Sequence, residues 1–142
     1  VRIASRSKER AEATCEAVRS QVDGASVSAV ETSSVQGTLA AADGAELIIA
    51  TGAAGIQLLS AEQRGALSSL KVAIDLNAVP PAGLEGVDVF EKAVERNGVL
   101  CYGAIGVGGT KMKIHKAAVR KLFTANDLVL DTDAIFEIGQ NL

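Results

Sequence analysis

Leu47-Ile48-Ile49-Ala50, followed at once by Thr51-Gly52-Ala53-Ala54-Gly55, is an apolar run with no polar interruption and then a loop of small residues. A strand with one wet face alternates apolar and polar side chains. A strand covered on both faces is apolar throughout, as parallel strands packed between helices are. Outward from this run, Lys71 to Asp75 and Val99 to Tyr102 read as further buried strands, and Val1 to Ala4 and Ser26 to Val30 as strands nearer the start. Helix signals fall between them. Ser7 precedes a stripe of Ala11, Cys15, Val18 and Val22, residues 34 to 42 are rich in alanine, and Ser60 with Gln63 has the spacing of a capping box. A basic helix is expected to run to about Thr124, and Asp131 or Thr132 can cap a last one. No hairpin is read anywhere, so the strands are expected to be parallel and joined by right-handed βαβ crossovers. The expected fold class is α/β, a doubly wound parallel sheet of Rossmann type over residues 1–142.

The composition agrees. Of 142 residues 48% are apolar and only 3% aromatic, so the core must be built from Ala, Val, Ile and Leu. A net charge of −3 gives no reason to expect nucleic acid as a partner. No apolar run approaches the ~20 residues that cross a bilayer, so no membrane is expected, and the location is expected to be cytoplasmic. Cys15 and Cys101 lack metal-ligand or disulfide-scaffold spacing and read as small buried hydrophobes. The chain opens directly on a strand pattern, which reads as a fragment of something longer.

In a doubly wound sheet, ligands bind beyond the C-terminal ends of the strands. Sites specific for NAD usually place a carboxylate at the end of the second strand, to accept from the ribose hydroxyls. Ser5-Arg6-Ser7-Lys8-Glu9-Arg10 offers none at that position; instead Ser5 supplies a hydroxyl, Arg6 a planar fork, and Arg10 a second cation one turn on. Such a group suits the 2′-phosphate of NADP. Solvated surface charge is the competing account, but cations in a first helical turn oppose the helix dipole, which favours a bound anion. Thr51-Gly52-Ala53 lets a flat ligand approach the backbone, and equally lets the chain turn tightly. Asp75 and Asn77 could hydrogen-bond a carboxamide or ribose, or form an Asx turn stiffened by Pro80-Pro81. Gly103 to Lys113 lacks the phosphate-loop spacing, yet Lys111 and Lys113 stand near a helix start. His115 reads as a surface or packing residue. No metal-ligand cluster and no nucleophile–base pair is found, so no catalytic residue is assigned. Hydride transfer, which needs mainly positioning and exclusion of water, fits such a site.

Four segments carry a resemblance: Ser5-Arg6 with Arg10, ATGAAGIQLL at 50–59, DLNAVPPAGLEGVD at 75–88 and YGAIGVGGTKMKIHKAAVRKLF at 102–123. Together they resemble the C-terminal, NADP-binding part of methylene-tetrahydromethanopterin dehydrogenases, bacterial enzymes of one-carbon (formaldehyde) oxidation. The resemblance implies oxidation of a methylene pterin to its methenyl form with NADP, in some relatives also NAD, accepting hydride. It places Ser5, Arg6 and Arg10 around the ribose phosphate, Thr51, Gly52 and Ala53 along the nicotinamide half with Asn77 beside it, and Gly106 to Lys113 at the border of the cleft. The family also has a separate N-terminal domain and a first strand ending in a glycine-rich turn. Both are expected to be missing here, leaving the second and fourth strands without their shared neighbour and the chain alone a weak binder that does not turn over. The pterin carrier, tetrahydromethanopterin or tetrahydrofolate, stays open, as does a homo-oligomer. A shikimate-dehydrogenase-like NADP oxidoreductase is the alternative enzyme, since SRSKER at 5–10 resembles that family too; a non-catalytic NADP-sensing module and a structural protein without cofactor are the others.

Overall fold

Helix starts in this chain are written in hydroxyls and one carboxylate. The computed structural model describes residues 1–142. There Ser7 Oγ accepts from Arg10 N ahead of α1 (Lys8–Gln21), Ser34 Oγ from Gly37 N ahead of α2 (Val35–Ala42), and Asp131 from Ala134 N ahead of α5 (Thr132–Gln140). The capping box at α3 (Ala61–Gly65) forms in full, with Ser60 and Gln63 each serving the other's backbone N–H. Each cap satisfies a donor that the helix itself leaves orphaned. α4 (Gly108–Leu122) alone starts without a side-chain cap.

The strands are β1 (Arg2–Ser5), β2 (Ser28–Glu31), β3 (Leu47–Ala50), β4 (Val72–Asp75), β5 (Lys92–Arg96) and β6 (Val99–Gly103). β1 pairs in parallel with β2, and β3, β4 and β6 form a parallel ladder in that spatial order. Mixed α/β architecture with parallel strands is therefore as expected; of two further features, only the first corrects the sequence reading.

The first is a hairpin. β5 pairs antiparallel with β6 through Asn97-Gly98, both at positive φ (52° and 79°). Asn-Gly is the pair that a two-residue hairpin turn prefers, because both positions need that conformation. That turn signal stands without a strand pattern before it, because every residue of β5 is exposed and no apolar run marks it.

The second is that the parallel strands do not close into one sheet. They form two, β1-β2 and β3-β4-β6-β5, with no ladder between β1 and β3. Nor is the larger sheet covered equally. Ala50, Ala73, Val99 and Cys101 are buried under Leu59, Leu70, Leu84 and Val87. Leu47, Ile49 and Leu100, pointing to the opposite face, stay substantially exposed. The alternation along β6 (Val99, Cys101 and Gly103 buried, Leu100 exposed) shows one dry and one wet face. The core is thus made of small and aliphatic side chains beneath one sheet face. Around α1, Ala11 and Cys15 are buried as their stripe implied, whereas Val22 leaves the helix as its C-cap and is exposed. Both cysteines are free and buried. No helix is long and apolar enough to cross a membrane.

Candidate functional site

The break between the two sheets is a cleft of about 830 Å³. One wall carries Ser5, Arg6 and Arg10; the other carries Leu47 to Ala53; Leu58, Leu59 and Leu84 lie between. Of the seven residues that the resemblance places against the cofactor itself, six, Ser5, Arg6, Arg10, Thr51, Gly52 and Ala53, therefore meet in one depression. Its volume lies within the roughly 300–1,000 Å³ of small-molecule sites.

The first wall is shaped by the turn from β1 into α1. Ser5 Oγ accepts from Ser7 N at 3.3 Å, and Ser5 O accepts from Thr32 N at 2.8 Å, which fixes the end of β1 against the end of β2. Ser7 is committed to its cap and to Glu9, whose carboxylate takes its hydroxyl at 3.2 Å. Lys8 pairs with Glu12 at 3.7 Å. Arg6 and Arg10 have no carboxylate within ion-pair distance, and both are exposed at the cleft. Arg6, just before the cap of α1, and Arg10, in its first turn, thus bring two guanidinium groups without a carboxylate partner to the same cleft as the Ser5 hydroxyl.

The second wall is backbone and small side chains. A Cβ added at Gly52 would stand 3.2 Å from Leu58 Cδ1, so the loop after β3 lies close on the residues beneath it. Behind the loop, Asp75 closes the end of β4. Its Oδ1 accepts from Asn77 N at 2.9 Å and its Oδ2 from Leu84 N at 2.7 Å, both buried. Asn77 does not line the cleft. Its Oδ1 accepts from Val79 N at 3.0 Å, and its amide reaches the carbonyls of Pro81 (3.4 Å) and Ala53 (3.5 Å). Of the two readings of this stretch, the Asx turn is what forms, and its amide is the link from Asn77 to the cleft residue Ala53.

The glycine–lysine stretch lies elsewhere. None of Gly106 to Lys113 lines the cleft. A Cβ on Gly103 would come within 2.1 Å of Asp88 O, and one on Gly106 within 1.7 Å of Glu91 O. These glycines are needed by the close approach of the 88–91 backbone, whatever the helix behind them does.

Sequence reading missed Thr32 and Thr38, which line the cleft beyond β2. Position alone could have found Thr32, because it follows directly on a strand end, where ligands of this architecture sit. It also missed two buried charges outside the cleft. Arg64 donates to Glu85 O at 3.2 Å and approaches Cys101 Sγ at 3.8 Å; Glu91 pairs with Arg96. Burial pushes the Cys101 thiol up, against the pull of Arg64, so it stays protonated and inert.

No protein-family model matches the chain. Two curated proteins of Methylorubrum extorquens are similar to it. The bifunctional protein MdtA is 32% identical over 140 residues, which is 99% of this chain and 48% of that protein. The NAD(P)-dependent methylenetetrahydromethanopterin dehydrogenase is 36% identical over 110 residues, 72% of this chain and 37% of that protein. The chain thus spans less than half the length of these curated relatives.

Proposed function

Because the chain is a homologue of the NAD(P)-dependent methylenetetrahydromethanopterin dehydrogenase of Methylorubrum extorquens, we propose that it is the nicotinamide-binding part of a one-carbon oxidoreductase. The substrate is methylene-tetrahydromethanopterin or methylene-tetrahydrofolate, and hydride passes to NADP. The observation that carries the reading is the pair of unpaired cations, Arg6 and Arg10, beside Ser5 in a cleft whose other wall is Thr51-Gly52-Ala53.

The residues fit the cofactor in two respects. Ser5, Arg6 and Arg10 would hold the ribose 2′-phosphate, with no carboxylate at the strand end to repel it. Thr51, Gly52 and Ala53, the last of them reached by the Asn77 amide, would let the nicotinamide half approach the backbone. When bound, the nicotinamide supplies the hydride acceptor; the chain's own work is to bind, orient and keep water away. Residues 1–142 would form a Rossmann domain from its second strand onward. The spatial order β2-β1, cleft, β3-β4-β6 supports this, because it follows the doubly wound order 3-2-1-4-5-6 with the third place open.

The test is a chimaera in which this chain replaces the matched 37% of the NAD(P)-dependent methylenetetrahydromethanopterin dehydrogenase. It should reduce NADP in the presence of methylene-tetrahydromethanopterin. Arg6→Ala should raise KM for NADP by about 10- to 100-fold, the loss of about 1.5–3 kcal/mol in charge-assisted bonds, with kcat little changed. A soluble, folded chimaera that reduces no nicotinamide, or an Arg6→Ala variant with unaltered KM, would overturn the proposal.

A further inference from the structure

Little joins the two walls of the cleft. No backbone hydrogen bond and no ion pair runs from residues 1–42 to residues 46–142. The bridge is α2. At its start it lies hard against β2, where a Cβ on Gly37 would stand 2.5 Å from Glu31 O. Towards its end Ala42 is buried in the core beneath the larger sheet, and Leu39 packs on that core. A contact that holds β1 to the end of α2 therefore holds the first wall against the second.

Arg2 makes that contact. The carbonyls that end a helix have no intrahelical donor. In the last turn of α2, Leu39 O accepts from Asp43 N and Ala42 O from Ala45 N, but Ala40 O and Ala41 O receive no backbone N–H. Arg2 Nη1 donates to Ala41 O at 2.8 Å and to Asp43 O, and lies 3.5 Å from Ala40 O. Its Nη2 stands above Gly44, where an added Cβ would be 3.9 Å away. No basic residue stands in the last turn of α2 itself, and Arg2 has no carboxylate within ion-pair distance. The cation that answers the negative end of this helix thus comes from the start of β1. Arg2 also lines the cleft, at the opposite end of β1 from Ser5.

We infer that Arg2 is a positioning residue: by tying the start of β1 to the end of α2, it sets the orientation of the first wall relative to the second. What the site gains from this rests on the function proposed above; the orientation itself does not. A ligand that touches both walls binds only while they stand in register, so its apparent affinity scales with the fraction of molecules in which they do. A ligand that needs one wall is indifferent to that fraction. Arg2 thereby favours the whole dinucleotide over its adenosine half, acting through β1 and α2.

The test compares Arg2→Met, which keeps an apolar stem and removes the donors, with Arg2→Lys, which keeps a cation and three N–H donors. Residual dipolar couplings of backbone amides in the weakly aligned, isotope-labelled chain report how each sheet is oriented. In the unsubstituted chain the couplings of β1, β2 and α1 and those of β3, β4 and β6 should fit one common alignment. In Arg2→Met each set should still fit within itself, as two folded sheets require, but the two should no longer fit together. Arg2→Lys should restore most of the joint fit. Couplings of Arg2→Met that keep the native joint fit, or two separate alignments already in the unsubstituted chain, would overturn the inference. NADP and adenosine 2′-monophosphate, titrated into the same proteins, give a second readout. In Arg2→Met the affinity for NADP should fall about fivefold or more, while that for the monophosphate stays within about twofold. A parallel loss for both ligands would show that Arg2 only keeps the first wall folded, and would equally overturn it. NADP binding no tighter than the monophosphate in the unsubstituted chain would instead count against the proposed function, with the orientation still decided by the couplings.

Discussion

Asp75→Asn tests how the second wall is held. The carboxylate is 2% exposed and accepts two buried backbone N–H groups, Asn77 N at 2.9 Å and Leu84 N at 2.7 Å, which lie at the two ends of the loop between them. Asparagine has the same shape, so the substitution leaves no cavity and isolates the hydrogen bonds. One oxygen is retained without its charge. The other becomes an NH₂ facing an N–H, leaving that backbone donor buried and unsatisfied, at a cost of about 1–3 kcal/mol. With the weakened first bond, the total is about 2–3 kcal/mol, a large part of the 5–15 kcal/mol by which a domain of this size is stable. In urea, followed by far-ultraviolet circular dichroism, the midpoint should fall by about 1–2 M at an m-value near 1.5–2 kcal/mol/M, with m itself unchanged. Amides of residues 76–84 should exchange faster than those of β1 and α1. A midpoint shift under about 0.2 M would show that the carboxylate does not hold the loop as described.

Three further outcomes follow from single contacts. Gly106→Ala drives a methyl to 1.7 Å from Glu91 O, so it should destabilise the chain by about 3 kcal/mol or more, seen as a large loss of denaturation midpoint or of soluble protein. Ser60→Ala removes half of a complete capping box at α3 and should cost about 0.5–2 kcal/mol in the same assay. Cys101 should resist alkylation in the native state and react on unfolding. Since folding raises its pKa, its contribution to stability is present below the unfolded thiol's pKa and is lost as pH rises past it, so Cys101→Ala should flatten the alkaline decline in stability.

Local signals carried most of the element boundaries. Leu47–Ala50 stands where its apolar run placed it, and Ser7, Ser34, Ser60 and Asp131 cap the helices they precede, because a cap is decided by a few neighbouring atoms. What escaped the sequence was decided by contacts between distant segments. The exposed β5 has no apolar pattern because its stability comes from pairing with β6, and only Asn97-Gly98 announced it. The resemblance puts Gly106 at the border of the cleft, yet the backbone of 88–91 is what Gly103 and Gly106 make room for. For Asn77 the sequence allows either a ligand contact or an Asx turn, and its hydrogen bonds to Val79, Pro81 and Ala53 make the turn. For the cleft, charge was the better guide: the absence of a carboxylate at Ser5-Arg6 could be read directly, and the structure sets Arg6 and Arg10 unpaired beside it.

On the proposed function, Ser5, Arg6 and Arg10 form a site for a ribose 2′-phosphate. All three lie on one wall, so a ligand that needs only that wall tests it in this chain directly. Adenosine 2′-monophosphate and adenosine 5′-monophosphate, titrated in parallel against the labelled chain, differ only in where the phosphate sits. Saturable amide shifts are expected at residues 5–10 and at Thr32 with the 2′-phosphate, with Kd in the millimolar range, where binding is worth about 4 kcal/mol. They should be much weaker with the 5′-phosphate and lost in Arg6→Ala. Equal shifts from both nucleotides, or 2′-phosphate shifts that survive Arg6→Ala, would contradict it.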